Sequence, residues 1–145
     1  MDGDILELPK YLALAKKYGA IFYLDECHAT GVIGKNGGGC VDYWGVDPNE
    51  VDLISSTLGK AISGGGGGYT TGKKYMVEYL RQTSKTFIFS NSLCSPIIGA
   101  SLEALKIFRE DPAIFSRIQD KGKRFREGVK KIGFKVYGDD DCPIC

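Results

Sequence analysis

The 145-residue sequence predicts an α/β layered fold, with most strands of the sheet parallel, and three observations support this prediction. Segments with helical spacing of apolar residues are interspersed with short strand-like segments. At least one strand-like segment is a continuous apolar run, which is typical of strands buried on both faces of a parallel sheet. Polar residues of kinds that enzymes use follow two of these strands, and α/β sheets bind ligands at the carboxyl ends of their strands.

The first helix and the first strand have clear sequence signals at their ends. Apolar residues over 6–18 lie at helical intervals, with Pro9 in the first turn and Gly19 at the expected C-terminal stop. The segment AIFYL, residues 20–24, is uniformly apolar and stops at Asp25. It therefore predicts a buried strand whose carboxyl end is Asp25.

The remaining elements follow from the same rules of periodicity and punctuation. Residues 31–39 are rich in glycine and predict a loop, 51–58 a second strand and 68–72 a short third strand. The helix predicted next turns four apolar residues inward, Met76, Val77, Tyr79 and Leu80. In chain order the later elements are a helix over 73–84, a strand over 86–90, helices over 96–109 and 112–132, and a strand beginning over 134–138.

Composition and charge bear on the partners and the compartment expected for this chain. The net charge is +1 and apolar residues make up 43 % of the chain, so charge gives no indication of a nucleic-acid or membrane partner. No apolar run has the length of a membrane span, and the acidic N-terminus does not have the pattern of a signal peptide. Five scattered cysteines, an odd number, indicate a reducing, intracellular compartment.

Four polar residues are predicted to meet at one edge of the sheet. Asp25 and His28 follow the first strand, while Thr57 and Lys60 follow the second. Taken singly, three of them have ordinary structural explanations: the aspartate caps a loop, the histidine is structural and the lysine is a solvated charge. Their joint position at two strand ends favours a ligand site in a single crevice.

Two other site chemistries fit this sequence poorly. Residues 67–73 nearly match the phosphate-binding loop of nucleoside triphosphatases, but Lys74 stands where that motif needs a Ser or Thr hydroxyl for magnesium. Cys142 and Cys145 have the spacing of a metal-binding pair, yet the chain has one such pair and one histidine, whereas a closed zinc site needs four ligands. We therefore predict no metal site.

Pyridoxal phosphate (PLP) matches the constellation better. A lysine amine in a pocket of low dielectric forms a Schiff base with an aldehyde cofactor, and Lys60 is the candidate. Asp25 is placed to keep the pyridine nitrogen protonated, His28 to reach the phenolic oxygen and Thr57 to donate its hydroxyl to the phosphate. The five glycines at 64–68 would let bare backbone approach the cofactor and offer N–H groups to an anion.

Four motifs resemble those of the α-oxoamine synthases, a family within the fold-type-I PLP-dependent transferases. They are DECHATG at 25–31, STLGKA at 56–61, GGYTTG at 67–72 and FSNSL at 89–93. The resemblance implies a mostly parallel sheet with helices on both faces. It also implies that residues 1–109 are the C-terminal half of the cofactor-binding large domain, and that 110–145 begin the small α/β domain.

The resemblance also implies a role for each site residue. Lys60 matches the lysine that bonds to PLP and moves protons at the substrate carbon, Asp25 the partner of the ring nitrogen and His28 the residue near the phenolic oxygen. Thr57 matches a phosphate ligand. Ser90 matches a residue that reaches the phosphate from the neighbouring subunit, which implies a homodimer with a shared active site.

The implied activity is PLP-dependent acyl transfer from an acyl-CoA to an amino acid. MDGDI at 1–5, with STLGKA and FSNSL, favours the branch that joins glycine to acetyl-CoA, giving 2-amino-3-ketobutyrate in threonine breakdown. Alternatives are the branches that make 5-aminolevulinate, 8-amino-7-oxononanoate or ketosphinganine (the serine palmitoyl type), and a non-catalytic, cofactor-binding fragment. The resemblance implies mitochondria in a eukaryote or the cytoplasm in a bacterium.

The sequence departs from the family pattern in two loops and in length. Gly38 replaces an arginine usual in the loop after HATG, and Gly65 and Gly66 replace Ala and Ser in the run after the lysine. Family members are much longer, so we expect this chain to be a piece of a larger enzyme, to expose strand edges and apolar faces, and to be inactive alone.

Overall fold

A computed structural model describes residues 2–62 and 64–145 as helices packed around a small sheet. The helices are α1 (Leu8–Tyr18), α2 (Gly39–Trp44), α3 (Lys74–Thr83), α4 (Lys85–Ile88), α5 (Ser95–Glu110) and α6 (Ala113–Lys131), and Pro48–Glu50 form a 3₁₀ turn. The strands are β1 (Tyr23–Asp25), β2 (Leu53–Thr57) and β3 (Gly68–Gly72). None of the helices in this described part is long and apolar enough to cross a bilayer.

The sheet has the order β1-β2-β3, and its pairing brings two strand ends to one edge. β1 and β2 are parallel, with Asp25 opposite Ser55, so Asp25 and Thr57 both lie at the carboxyl edge. β3 is antiparallel to β2, with Gly68 opposite Thr57. The α/β prediction is confirmed, and among the described strands the sheet is mixed, because the glycine loop after Lys60 returns the chain directly along β2.

The predicted C-terminal end of α1 is confirmed, and the helix begins at Leu8, two residues after the predicted start. Pro9 lies in its first turn, where a missing N–H costs no helical bond. Gly19 ends the helix in the left-handed conformation (φ 61°), and its N–H meets the last carbonyl groups. Leu8 and Leu12 are the buried residues of the helix, and they belong to the core that also contains Leu24 of β1. The glycine stop and the buried leucines thus agree on where this helix ends and which residues it packs into the core.

The core joins both ends of the chain to the sheet. Its buried members are Ile5, Leu8, Leu12, Leu24, Ala29, Ile33, Cys40, Val41, Val51 and Cys142. The segment after α6 reaches the N-terminal segment through Asp139, whose N–H donates to Gly3 O (2.9 Å) and whose Oδ2 accepts from Ile5 N–H. Burying these apolar side chains removes them from water, which is the main favourable contribution to folding.

Asp52 connects three elements at the amino edge of the sheet. Its carboxylate forms an ion pair with Lys73, just before α3, and accepts the N–H of Phe22 (2.8 Å), just before β1. These two interactions, the Lys73 hydrogen bond first, lower the pKa of Asp52. The bond to Phe22 also shows how β1, predicted from residue 20, is held by a side chain before its ladder begins at Tyr23.

Two of the predicted strands, over 86–90 and 134–138, are wrong. Residues 86–90 have aromatic and β-branched side chains, but they form α4 and its end, with local bonds such as Phe89 N to Lys85 O (2.9 Å). Residues 134–138 form no strand, and the carbonyl of Tyr137 accepts from Arg126 instead. Strand propensity needs a partner strand, and neither segment has one among the described residues.

The inward face predicted for α3 is only partly confirmed. Met76, Val77 and Leu80 are half-buried, whereas the Tyr79 side chain is 67 % exposed. The helix is amphipathic in sequence, but nothing in the described part of the chain covers Tyr79. A face of this kind is buried only if another element packs on it. The short helix α2 and the 3₁₀ turn lie in segments predicted as loop or left unassigned, because each is too short for a periodic pattern.

Candidate active site

The turn after β1 brings Asp25 and His28 to the same edge of the sheet. Cys27 N–H donates to Asp25 Oδ1 (2.8 Å), and Ala29 and Thr30 N–H both donate to Glu26 O (2.9 Å each). These bonds curl the chain tightly, so that Asp25 and His28 both stay exposed. The backbone bond from Cys27 lowers the pKa of Asp25, with smaller contributions from the Cys27 thiol, Lys60 and His28. Asp25 is therefore a carboxylate at neutral pH.

The loop after β2 carries Lys60 and is closed by backbone bonds to the glycine run. Leu58 N–H donates to Gly67 O (3.0 Å), and Gly64 N–H donates to Leu58 O (2.7 Å). Thr57 holds the base of the loop, since its hydroxyl donates to Gly67 O (3.0 Å) and accepts from Gly59 N–H (3.1 Å). The loop thus folds back on β2 and leads directly into β3.

The glycines of this loop allow close packing against α5 and the segment before it. A Cβ on Gly64 would lie 2.0 Å from Ser101 Oγ on α5. A Cβ on Gly67, which has φ +81°, would lie 2.5 Å from Leu93. A Cβ on Gly68 would likewise lie 2.7 Å from Ser56 O. The glycine run is therefore required by close approach at three of its members, and it is not a flexible linker there.

Three of the five predicted site residues line a single cleft. The cleft has a volume of about 480 Å³, and Asp25, His28 and Lys60 line it together. Leu24 and Ile33 form part of its wall, and the C-terminal segment contributes Cys142 and Ile144. An amine, an ionised carboxylate and an imidazole therefore share one solvent-accessible cavity at the carboxyl edge of the sheet.

The other two predicted residues do not line this cleft. Thr57 stands at the end of β2, half-buried, with its hydroxyl bonded within the glycine loop. Ser90 is exposed in the segment between α4 and α5. A role for Ser90 in a neighbouring subunit remains a prediction, as does the role of Thr57 toward a phosphate.

Glu26, a residue that the sequence analysis did not single out, is buried directly beside the site. It is 2 % exposed, and its Oε1 accepts the N–H of Cys40 (2.8 Å) in the first turn of α2. Its Oε2 has no hydrogen-bond partner in the described part of the chain, and burial raises the pKa of this carboxyl. The alternation of a strand places Glu26 on the face opposite Asp25, and this signal could have predicted its burial.

The described residues contain no group of three or more His, Cys, Asp or Glu side chains that could hold a metal ion. Cys142 is buried in the core while Cys145 is exposed, so the two cysteines with C-x-x-C spacing differ in environment. Burial raises the pKa of the neighbouring Cys40 thiol to about 12, which keeps it protonated.

The sequence model of the family described as "Aminotransferase class I and II" matches residues 1–145. The chain belongs to this family.

The curated relatives that match this chain are named as different enzymes. Over 145 residues the chain is 46 % identical to the mitochondrial 2-amino-3-ketobutyrate coenzyme A ligase of Mus musculus, covering all of this chain and 34 % of that protein. It is 40 % identical over 144 residues to the 8-amino-7-oxononanoate synthase of Thermoanaerobacter pseudethanolicus, covering 99 % and 36 %. The chain thus spans about a third of the length of the curated relatives it matches.

Solved structures of the same kind share the fold. A serine palmitoyltransferase from S. paucimobilis, solved with a bound PLP–myriocin aldimine, superposes with a TM-score of 0.87 at 26 % identity. The match covers 98 % of this chain and 35 % of that one.

Proposed function

We propose that this chain carries the cofactor lysine of a PLP-dependent acyltransferase of the α-oxoamine synthase type. The observation that supports the proposal most directly is the cleft shared by Asp25, His28 and Lys60. The donor set of this cleft suits PLP, which needs an amine for its aldehyde and a carboxylate for its ring nitrogen. The names of the relatives agree with this chemistry.

Each residue of the cleft has a distinct task in this proposal. PLP, when bound, supplies a ring that accepts the electron pair left on the amino-acid carbon after its proton departs. Asp25, whose pKa is lowered mainly by the Cys27 N–H, would hold a proton on the ring nitrogen. Lys60 would bond to the cofactor and then move the substrate proton, and His28 would contact the phenolic oxygen.

The cofactor phosphate would be bound by residues that do not line the cleft. Thr57 has one hydroxyl proton, and it donates that proton to Gly67 O. To donate to a phosphate, the Thr57 hydroxyl must therefore exchange this bond, which would couple phosphate binding to the position of the glycine loop. Ser90 would act from the neighbouring subunit of a homodimer.

The reaction we propose for the whole protein joins glycine to acetyl-CoA, giving 2-amino-3-ketobutyrate and CoA. The 46 % identity to the mouse ligase supports this branch over the 40 % identity to the 8-amino-7-oxononanoate synthase. The structural match to a serine palmitoyltransferase favours the second candidate, another α-oxoamine synthase with a different acyl-CoA or amino acid. A mitochondrial location in a eukaryote, or a cytoplasmic one in a bacterium, would follow.

Cofactor attachment tests the first part of the proposal. The chain is titrated with PLP, the visible absorbance is followed, the adduct is reduced with borohydride and the modified lysine is identified by mass spectrometry. We expect Lys60 to carry the label and Asp25→Asn to weaken the band. Lys74→Ala is the matched control, since Lys74 is an exposed lysine on α3. Label spread over many surface lysines would contradict the proposal.

The amino-acid response tests the branch. Glycine, L-serine and L-alanine are added separately to the PLP-loaded chain, and the visible spectrum is recorded. A spectral change with glycine, and none with the other two, supports a branch that uses glycine, which includes the 5-aminolevulinate type as well as the acetyl-CoA type. A response to serine or alanine instead would favour the serine palmitoyl or oxononanoate branch. Stable PLP attachment with no response to any of the three would identify a non-catalytic, cofactor-binding fragment.

A further inference from the structure

Two hydroxyl groups join the segments that carry the two parts of the candidate site. The hydroxyl of Ser56, on β2, donates to Thr30 Oγ1 at 2.8 Å, in the turn that follows His28. Ser56 is only 4 % exposed, and its Oγ also lies 3.4 Å from the carbonyl oxygen of Glu26. The contact is therefore a partly buried polar bridge between β2 and the turn after β1.

Thr30 connects this bridge to the rest of the turn. Its N–H donates to Glu26 O (2.9 Å), which fixes it relative to Asp25 and His28. It also pairs with Gly38 in an isolated antiparallel bridge, which closes the glycine-rich loop after the turn. A displacement of Thr30 would therefore displace the aspartate, the histidine and this loop together.

Ser56 connects the bridge to the lysine loop. It lies directly before Thr57, whose hydroxyl holds the base of that loop. The ladder bond from Glu26 N–H to Ser55 O (2.8 Å) ends the regular pairing of the two segments, and the Ser56 hydroxyl continues the connection beyond it. The bridge is thus well placed to set the separation between the Asp25 side of the cleft and the Lys60 side.

We propose that Thr30 and Ser56 are positioning residues, whose hydroxyl bond sets the spacing of Asp25 and His28 relative to Lys60 and Thr57. The inference rests on the proposed function, because it assumes that PLP attaches at Lys60. Neither side chain would contact the cofactor. They would hold the two sides of the cleft at one separation, so that Asp25 reaches the cofactor ring while Lys60 reaches its aldehyde.

Four single substitutions in the full chain test this proposal. Ser56→Ala removes the donor, and Thr30→Val removes the acceptor while keeping the shape of the side chain. Thr30→Ser keeps the hydroxyl and is the conservative rescue. Ser55→Ala is the matched control, because Ser55 is the neighbouring serine on the same strand and forms no side-chain hydrogen bond among those described. Readouts are the PLP dissociation constant, the pH midpoint of the visible band and the thermal midpoint of the chain without PLP.

We expect Ser56→Ala and Thr30→Val to bind PLP roughly tenfold more weakly and to shift the pH midpoint of the visible band. Thr30→Ser and Ser55→Ala should match the unsubstituted chain in both. Unchanged affinity and midpoint in the first two variants would overturn the proposal. So would a lower thermal midpoint with an unchanged pH midpoint, which would mean a purely structural bond.

The experiment separates this proposal from the function on which it rests. If the unsubstituted chain is not labelled at Lys60, the proposed function fails, and the positioning role fails with it. If the unsubstituted chain is labelled and the variants behave like it, only the positioning role fails. Should Thr30→Val not fold, Ser56→Ala carries the same test, because it removes a single oxygen atom.

Discussion

The burial of Glu26 predicts a pH dependence of the free energy of unfolding. Its folded-state pKa is raised above the ordinary value of 4.5, mainly by desolvation. Between the unfolded and folded pKa values the folded chain binds more protons than the unfolded chain, so the free energy of unfolding falls as pH rises. Glu26→Gln removes this titration, and we expect it to abolish that part of the fall above pH 4.5. Urea unfolding at several pH values between about 4 and 7 measures it.

The control for this prediction is Glu127→Gln, because Glu127 is an exposed glutamate on α6. It should leave the pH dependence of unfolding unchanged. If Glu26→Gln and the unsubstituted chain lose stability equally across this window, Glu26 does not titrate as a buried group. An increase in the loss would mean that the ionised carboxylate is the better partner of Cys40 N–H.

The sequence predicted the residues whose chemistry shows in a linear motif, and it missed one whose role depends on tertiary contacts. Asp25, His28 and Lys60 were predicted to share a crevice because parallel strands bring their carboxyl ends together, and the structure places them in one cleft. Strand alternation could have predicted that Glu26 is buried, but not its hydrogen-bond donor, which lies in the first turn of α2, 14 residues away.

At the level of elements, helix α2 begins and ends at glycines with a left-handed backbone conformation, so the cost of substituting each can be compared. Gly39 begins the helix at φ +78°, and a Cβ there would lie 2.6 Å from Glu26 Oε2. Gly45 ends it at φ +62°, with nothing within 4 Å of the same position. We expect Gly45→Ala to cost about 1–2 kcal/mol for the backbone conformation alone. Gly39→Ala should cost about 3–4 kcal/mol, because it also displaces a buried carboxylate.

Chemical denaturation of the two variants measures this difference. Equal losses of stability would mean that Glu26 moves aside without cost. The reverse order, with Gly45→Ala the more damaging, would contradict the packing seen at the start of α2.

Helices were predicted more accurately than strands, and the reason is physical. The ends of α1 are fixed by Pro9 and Gly19, which act through their own backbone. The strand predicted over 86–90 depended on propensity, and strand propensity reports packing against neighbours that a linear pattern does not contain. β3 was predicted correctly at 68–72 because the glycine run before it and the start of α3 after it delimit the segment.

In the whole molecule, Arg126 holds the C-terminal segment that forms one side of the cleft. It is 2 % exposed, and its guanidinium donates to the carbonyl oxygens of Tyr137 (2.8 Å), Cys142 (3.1 Å) and Ile144. Arg126→Ala leaves these carbonyl groups without their donor, and we expect it to lower the free energy of unfolding by at least about 3 kcal/mol. Arg126→Lys should rescue little, because one ammonium group cannot reproduce the fork of donors.

Hydrogen exchange shows which part of the chain loses stability in Arg126→Ala, which the free energy of unfolding alone does not. In Arg126→Ala the amides of residues 137–144 should lose protection first, whereas Arg124→Ala, at an exposed position two residues earlier, should change little. Uniform loss of protection across the chain would show that Arg126 supports the whole fold and not this segment in particular.

The contact between Asp139 and Ile5 has a consequence for the order of events during synthesis. The two residues are 134 positions apart, so the first segment of this chain has no carboxylate to bind until nearly all of these 145 residues have been made. At ordinary translation rates that interval is roughly ten seconds. During it, the Ile5 N–H has to be satisfied by water, so the contact that joins these two segments can form only after Asp139 has been made.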